Sequence, residues 1–287
     1  MCFFLITTDH LSDRLWFKEP EDFIVAMNYV AIVALRLNCN ILAFILMSNH
    51  VHFVIAGDKD NALAFINEFK RLYSRYLTKK YGNHEHLKRN DVDLRELSAY
   101  DESLERAIAY VQMNSVAAGL CLSSTEYPWG SGNCFFKSSQ PKGTFAGLFS
   151  KRKLRVMLHA REDIPKGWLV GEDGYILPES YIAVDFVQSL FRKPQRMKYF
   201  LDHSSKAAKR LSFSEQDIPY FKDQIILSSI PDLCRTLFRK NAFTELDSSE
   251  QTELLRQIRR RFSSNINQIC RVTGLQYAEA AKLLDSI

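Results

Sequence analysis

Two histidines separated by one residue are the first feature of this sequence that could do chemistry. They are His50 and His52, within the segment MSNHVHFVI at residues 47–55. The apolar flanks of the segment favour a buried strand, and side chains two apart on a strand point to the same face. The two imidazoles could therefore converge on one divalent ion. The alternative is a hydrogen-bonded pair of histidines that holds no ion.

A tyrosine and an asparagine provide the second candidate pair. Tyr110 and Asn114 are four residues apart near the end of a predicted helix over residues 103–114. That spacing places the two side chains on one helix face, one turn apart. A tyrosine phenol can act as a nucleophile once it is activated, and an amide oxygen can ligate the ion that polarises a phosphate. The alternative is a half-buried aromatic residue followed by a helix cap.

Two further groups compete with these assignments. A second histidine pair, His84-Glu85-His86, lies in a polar stretch with no strand to orient it, and we interpret it as a solvated loop. Tyr73 could replace Tyr110 as the nucleophile because it lies among basic residues in FKRLYSRY. We favour Tyr110, because the residue four positions after Tyr73 is leucine.

The elements that must position these groups follow from the apolar pattern. Residues 2–8 predict a strand, residues 20–37 a helix, and residues 41–55 two short strands or a hairpin divided at residues 47–49. Residues 62–81 predict an amphipathic helix, and residues 103–114 another. Strand, helix, strand, strand, helix, helix indicates an α+β fold, with helices packed on a small, mostly antiparallel sheet.

The helix predicted over residues 62–81 has a basic face. Lys70, Arg71 and Arg75 lie on it, and these cations could hold a nucleic-acid backbone. Tyr73 or Tyr76 could then stack on a base. The alternative is an ordinary solvated face.

Taken together, the motifs resemble the HUH single-tyrosine transposases of small insertion sequences. Residues 47–52, MSNHVH, are similar to the metal motif of that family, and residues 110–119, YVQMNSVAAG, are similar to its catalytic helix. Residues 127–131, YPWGS, resemble the aromatic motif that follows. The closest subgroup is the repeat-associated tyrosine transposases. The resemblance covers about residues 1–135, and Ser48 and Ser115 replace residues that are usually proline in the family.

The resemblance implies a ferredoxin-like HUH catalytic domain with a defined chemistry. It implies that His50, His52 and Asn114 bind Mg²⁺ or Mn²⁺. It also implies that Tyr110 attacks single-stranded or hairpin DNA, which leaves a 5′-phosphotyrosine and a free 3′-hydroxyl. A covalent link of this kind conserves the energy of the phosphodiester, so strands could be rejoined.

Charge divides the 287 residues into two unequal halves. Residues 1–140 have 14 Lys and Arg against 16 Asp and Glu, whereas residues 141–287 have 24 against 17. The basic second half suggests an anionic partner. We therefore predict three regions: the catalytic domain at 1–140, a basic helical extension of unknown role at 141–245, and a helix-turn-helix-like segment at 246–287. In this arrangement the second half supplies DNA affinity and little chemistry.

The C-terminal segment predicts three helices, with a turn at Gly274 before the last. Gln276 and Tyr277 would then face a DNA groove. The alternative is a plain three-helix packing module. The second half as a whole is expected to be mainly α-helical.

Composition restricts where the protein acts. The six cysteines are scattered and contain no C-x-x-C pair, which is typical of a reducing compartment. No apolar run approaches the roughly 20 residues that span a bilayer, and we find no signal peptide. We expect a cytoplasmic, nucleoid-associated protein with no membrane partner, either monomeric or a homodimer.

The sequence leaves two other functions open. One is a domesticated regulator that binds repeat DNA without cleaving it. The other is a metallohydrolase that uses His50 and His52 on a small substrate. The latter is weakened because Val54 stands where such enzymes often have aspartate in H-x-H-x-D.

Overall fold

A four-stranded antiparallel sheet lies at the centre of the first core. This computed structural model describes residues 2–8, 15–82, 87, 91–204, 223–262, 264 and 266–285. The strands are β1 (Phe3–Thr8), β2 (Asn40–Met47), β3 (His50–Ala56) and β4 (Val92–Leu97), in the order β2-β3-β1-β4. The predicted α+β class and the hairpin at residues 41–55 are confirmed. Strand β4 is not anticipated by the sequence pattern.

The two faces of the sheet carry different helices. Helices α1 (Pro20–Arg36) and α2 (Lys59–Tyr81) pack together. The Phe53 ring on β3 contacts Phe65 and Phe69 of α2, with ring centroids 5.0 and 5.7 Å apart. Because side chains alternate along a strand, His50 and His52 lie on the opposite face. Helix α3 (Ser103–Gln112) covers that face, and the short helix α4 (Asn114–Ala117) follows it.

A buried carboxylate joins the start of α1 to the end of α2. Asp22 is fully buried and accepts hydrogen bonds from the backbone N–H of Lys18 and from the hydroxyls of Tyr76 and Tyr81. The ammonium of Lys80 also lies 3.0 Å from it. A buried carboxylate is tolerated only when its charge is compensated in this way, so the network fixes the two helices against each other.

The outer edge of β2 is covered by later segments of the chain. Leu46 N–H donates to the Trp129 carbonyl, and Ser131 N–H donates to the Phe44 carbonyl. Gly130 has no room for a side chain, because a Cβ there would lie 2.8 Å from the Phe44 oxygen. The YPWGS segment therefore closes a sheet edge that would otherwise present unpaired backbone groups.

Residues 144–202 pack on the same core as the sheet. They form β5 (Thr144–Phe145), β6 (Leu169–Val170), α5 (Lys151–Met157), α6 (Val184–Phe191) and α7 (Pro194–Asp202). Buried residues of this region, among them Phe191 and Phe200, belong to the first apolar core. The predicted boundary at residue 140 therefore falls inside a packed unit.

A second apolar core is built by four C-terminal helices. They are α8 (Asp223–Phe238), α9 (Ser248–Phe262), α10 (Ile266–Thr273) and α11 (Tyr277–Asp285), and we call them the C-terminal module. Because α8 contributes Ile226, Ile230 and Leu233 to this core, the predicted boundary at residue 245 does not coincide with the structural division either. The two cores are separated between residues 204 and 223.

The mainly helical character predicted for the second half is confirmed. Gly274 has a φ of +78°, a backbone conformation that suits glycine, at the predicted turn between α10 and α11. Within the described part of the chain, no helix combines the length and the apolar character that a membrane crossing requires.

Candidate active site

The two strand histidines lie side by side beneath the helix that carries Tyr110. His50 and His52 are 4% and 0% exposed, and their ring centroids are 4.8 Å apart. The His52 ring is 5.4 Å from the Tyr110 ring in an edge-on arrangement. The structure therefore brings together three of the four residues that the sequence selects for chemistry.

Each imidazole is oriented by a hydrogen bond at Nδ1. His50 Nδ1 lies 2.9 Å from Asn49 Oδ1, and His52 Nδ1 lies 3.0 Å from Thr7 Oγ1. Thr7 is the residue of β1 that pairs with His52. Because an amide oxygen can only accept, the Nδ1 of His50 carries the proton and its lone pair is on Nε2. Metal-binding histidines in proteins are oriented in this manner by their second ring nitrogen.

Asn114, the fourth residue selected from the sequence, lies one turn beyond Tyr110. Its amide Nδ2 donates to the carbonyls of Tyr110 at 2.8 Å and Val111 at 3.3 Å, and the side chain is buried. The predicted single helix is interrupted here, since α3 ends at Gln112 and Asn114 begins α4. The bond to the Tyr110 carbonyl ties the two helices together. Since both amide hydrogens face the helix, Oδ1 is the atom left to accept or to ligate.

These residues fit a divalent metal ion. Two imidazoles with their Nδ1 atoms engaged, together with an amide oxygen, form a neutral donor set of nitrogen and oxygen atoms that suits Mg²⁺ or Mn²⁺ with water or phosphate oxygens added. Among the described residues, no group of three or more His, Cys, Asp and Glu side chains is arranged to hold an ion. The candidate site thus depends on the histidine pair and Asn114.

Burial also affects the nucleophile. It raises the pKa of the Tyr110 phenol above its ordinary value, because the phenolate would lose hydration. Tyr110 is therefore protonated at neutral pH, and its proton must leave as the oxygen attacks. A nearby cation would favour that loss by stabilising the phenolate.

The first part of the chain is similar to a known protein family. Residues 17–92 match the family described as "Transposase IS200 like". Over this segment the chain is similar to that family. The match contains both strand histidines and ends before Tyr110, so it supports the predicted resemblance to tyrosine transposases and leaves the tyrosine assignment to the geometry. Transposases act on DNA, and a DNA-processing enzyme is the function that the match supports.

The other two comparisons add little. A solved structure described as "Structure of the REP associates tyrosine transposase bound to a REP hairpin" has a TM-score of 0.36 and 12% identity, over 46% of this chain and 77% of that one. No curated protein matches the sequence.

The basic helix α2 and Tyr110 lie on opposite faces of the sheet, so they cannot contact the same phosphate. Helix α2 packs on the Phe53 face, whereas Tyr110 lies on the histidine face. Lys70 is only 3% exposed. Arg71 is exposed and paired with Glu68 at 2.6 Å, and Arg75 is exposed. All three line a groove on the outer side of α2, so a DNA contact there would be separate from the reacting phosphate.

The interpretation of Tyr73 as a base-stacking residue or rival nucleophile is wrong. Its side chain is fully buried, its hydroxyl donates to the Trp16 carbonyl at 2.7 Å, and its ring stacks within an aromatic cluster. Burial raises the pKa of this phenol well above its ordinary value. Its place in the helical pattern was that of a core residue, and the neighbouring basic residues obscured this.

The predicted groove-facing residues begin the last helix. Gln276 and Tyr277 are exposed at the start of α11, and Tyr277 has 58% of its surface accessible. This placement is compatible with DNA recognition, which stays a prediction. The histidines of the polar pair, His84 and His86, lie outside the described residues.

Three residues at the site were not selected from the sequence. Thr7 could be found only by knowing that β1 pairs with β3, whereas Asn49 lies within the histidine motif itself. The third is Asp223, whose carboxylate accepts a hydrogen bond from the Ser48 hydroxyl at 3.1 Å across 175 positions of sequence. No local pattern signals that contact.

Proposed function

We propose that this protein is a metal-dependent endonuclease and strand transferase of single-stranded DNA that uses Tyr110 as its nucleophile. The observation that carries the proposal is the Tyr110 ring 5.4 Å from His52, above a buried pair of oriented imidazoles. The match of residues 17–92 to IS200-like transposases supports DNA as the substrate. Hairpin or repeat DNA is the expected form.

The reaction would be a direct displacement at phosphorus. The Tyr110 oxygen forms a bond to the phosphorus of one phosphodiester while the bond from phosphorus to the 3′ oxygen breaks. The phenol loses its proton, and the departing 3′ oxygen gains one to become a hydroxyl. The products are a 5′-phosphotyrosine on the protein and a free 3′ end, and reversal with another 3′ hydroxyl would join strands.

The side chains around Tyr110 would orient the reactants. Asn114 holds the end of the tyrosine helix through the Tyr110 carbonyl, so the phenol is fixed with respect to the histidines. A Mg²⁺ or Mn²⁺ ion held by His50, His52 and Asn114 would neutralise charge on the phosphate. Holding the reacting groups in place supplies much of the rate of such reactions.

The two rivals require different features. A small-substrate metallohydrolase needs a third histidine or acid beside the pair, and no such group lies there among the described residues. A regulator that only binds DNA requires none of the chemical groups. Formation of a covalent adduct separates it from the nuclease.

The test is an adduct assay with labelled single-stranded DNA. The probe is a set of hairpin-tailed oligonucleotides with randomised tails, labelled at either end and incubated with Mn²⁺. After denaturation, the 3′ label should travel with the protein and the 5′ label should be released. A 5′ label on the protein would reverse the proposed polarity.

Two tyrosine variants locate the nucleophile. Tyr110→Phe removes only the phenolic oxygen and should abolish the adduct while DNA binding persists. Tyr100→Phe is the matched control, because Tyr100 is fully exposed ten residues earlier and could attack DNA without hindrance. An adduct that survives Tyr110→Phe and disappears in Tyr100→Phe would refute the assignment.

A further inference from the structure

Asp223, the first described residue of α8, connects the C-terminal module to the turn beside His50. It is 5% exposed, and one of its oxygens accepts the Ser48 hydroxyl at 3.1 Å. Ser48 and Asn49 form the two-residue turn between β2 and β3. Ser48, which makes this contact, lies two residues before His50, a candidate metal ligand.

Two side chains of α10 also hold this carboxylate. Arg271 donates to it through Nε at 2.7 Å and Nη2 at 3.2 Å, and Gln268 Nε2 donates at 2.8 Å. Such charge-assisted bonds are shorter and stronger than neutral ones. Asp223 is therefore rigidly placed by the module, and its position relative to Ser48 is fixed by helices that follow it in the chain.

The backbone just before α1 also holds the turn. The Ser48 carbonyl accepts hydrogen bonds from Trp16 N–H at 2.8 Å and Phe17 N–H at 3.2 Å. The next residue of α8, Gln224, donates to the Phe17 carbonyl at 3.2 Å. The module thus contacts the turn through Ser48 and also the backbone of Phe17, whose N–H bonds to that turn.

We propose that Asp223 is a positioning residue for His50, acting through Ser48 and Asn49. The Ser48 hydroxyl fixes the turn, the turn places Asn49, and Asn49 Oδ1 accepts from His50 Nδ1 at 2.9 Å. This order of contacts keeps the His50 lone pair on Nε2, the nitrogen that would ligate an ion. The C-terminal module is then part of the support of the active site and not an independent DNA-binding extension. The inference rests on the proposed function only where metal binding is concerned.

The serine at position 48 makes the contact possible. Proline, the residue that the resembled motif usually has at this position, has no hydroxyl and could not bond to Asp223 in this way. Ser48→Ala is therefore the cleanest perturbation, since it leaves Asp223 with both Arg271 and Gln268. Ser48→Thr keeps the hydroxyl and should rescue. Ser180→Ala is a matched control, because Ser180 is also half-buried and its hydroxyl has one contact, to Leu169 N–H.

The experiment uses the full-length protein and two readouts. The first is ¹⁵N imidazole NMR of the metal-free protein, in which Ser48→Ala should change the balance of protonation between the two nitrogens of His50. The second is Mn²⁺ affinity measured by electron paramagnetic resonance without DNA. We expect Ser48→Ala to weaken it about tenfold, the lower end of the effect of removing an outer contact to a metal ligand. Asp223→Asn should act in the same direction.

The outcomes separate this inference from the proposed function. Wild-type NMR and Mn²⁺ affinity in Ser48→Ala would overturn the positioning role, and equal losses in Ser180→Ala would do the same by showing a general effect on folding. If the wild type binds no Mn²⁺ and forms no adduct, while the His50 signals still respond to Ser48→Ala and not to Ser48→Thr, the proposed function fails and the positioning role stands.

Discussion

Two adjacent threonines of β1 have different roles: one contacts a candidate metal ligand, and the other bonds to the backbone of β3. Thr7 and Thr8 point to opposite faces of the sheet. The Thr7 hydroxyl lies 3.0 Å from His52 Nδ1, whereas the fully buried Thr8 hydroxyl accepts from Val51 N–H at 3.0 Å on the other face. Replacing each by valine removes one hydroxyl and keeps a β-branched residue in a strand.

Thr7→Val should mainly lower metal affinity, whereas Thr8→Val should mainly lower stability. Thr7→Val leaves His52 without the group that orients it, and loss of such an outer contact typically lowers metal affinity about 10- to 100-fold. That range corresponds to about 1.4 to 2.7 kcal/mol in binding free energy. Its cost in folding free energy should be about 1 kcal/mol or less, because Thr7 is half-buried and water can compensate.

For Thr8→Val the cost should appear in stability. The change leaves the Val51 N–H buried without its hydroxyl acceptor, which costs about 1 to 3 kcal/mol. His52 keeps its Thr7 contact, so Mn²⁺ affinity and the rate of adduct formation should stay near the wild-type values under conditions where the variant is folded.

Urea unfolding and Mn²⁺ titration of both variants check the pair. The reasoning is refuted if Thr7→Val binds Mn²⁺ as tightly as the wild type. It is equally refuted if Thr8→Val loses metal affinity while its unfolding free energy is unchanged, because the face assignment of the histidines would then be wrong.

Four further predictions concern the metal, the rejected nucleophile, the basic helix and the buried carboxylate. EDTA should abolish adduct formation, and added Mg²⁺ or Mn²⁺ should restore it in the wild type but not in His50→Ala; full activity in EDTA would exclude the metal role. Tyr73→Phe should lower the unfolding free energy by about 1 kcal/mol or more, through its lost bond to the Trp16 carbonyl, and should leave the adduct intact. Arg75→Ala should leave the adduct rate at saturating DNA unchanged, because α2 lies on the face opposite Tyr110; a large loss of rate would place the reacting DNA on α2. Asp22→Ala should destabilise the protein by about 1 to 3 kcal/mol, since it leaves the Tyr76 hydroxyl without its acceptor while Lys80 keeps Glu19 and Glu21, and thermal unfolding with a Glu21→Ala control measures this.

The local parts of the site could be predicted from the sequence because they depend on short-range periodicity. A spacing of two on a strand placed His50 and His52 on one face, and a spacing of four brought Asn114 to the Tyr110 carbonyl. That Tyr110 lies near the histidines could be predicted because both motifs resemble those of one family.

The failures have a common physical cause. Tyr73 was assigned to DNA from its aromatic character and its basic neighbours, yet which side of α2 faces the core depends on how the helix packs against Phe53. The boundary at residue 140 was placed by a change in composition, although apolar residues such as Phe191 continue the same core. Neither burial nor core membership is encoded in the local pattern of charges.

The contact at Asp223 alters the division of labour that charge alone suggests. By charge, the second half of the chain would supply affinity for DNA and the first half the chemistry. The structure instead places residues 144–202 on the first core and joins α8 to the turn before His50. A protein truncated near residue 140 would therefore lose packing around the site as well as positive charge, and weak activity of such a fragment would say little about where DNA binds.

The same geometry bears on whether the protein cleaves DNA or only binds it. Imidazoles buried in an apolar sheet cost free energy unless their polar atoms are engaged, and here each Nδ1 has a dedicated partner, Asn49 for His50 and Thr7 for His52. A DNA-binding surface gains nothing from groups that lie beneath a helix and are inaccessible to a duplex. A small ion or a single phosphate would have to reach the pair from the side of Tyr110. The buried pair is therefore a feature that the proposed nuclease would use and that DNA binding alone does not require.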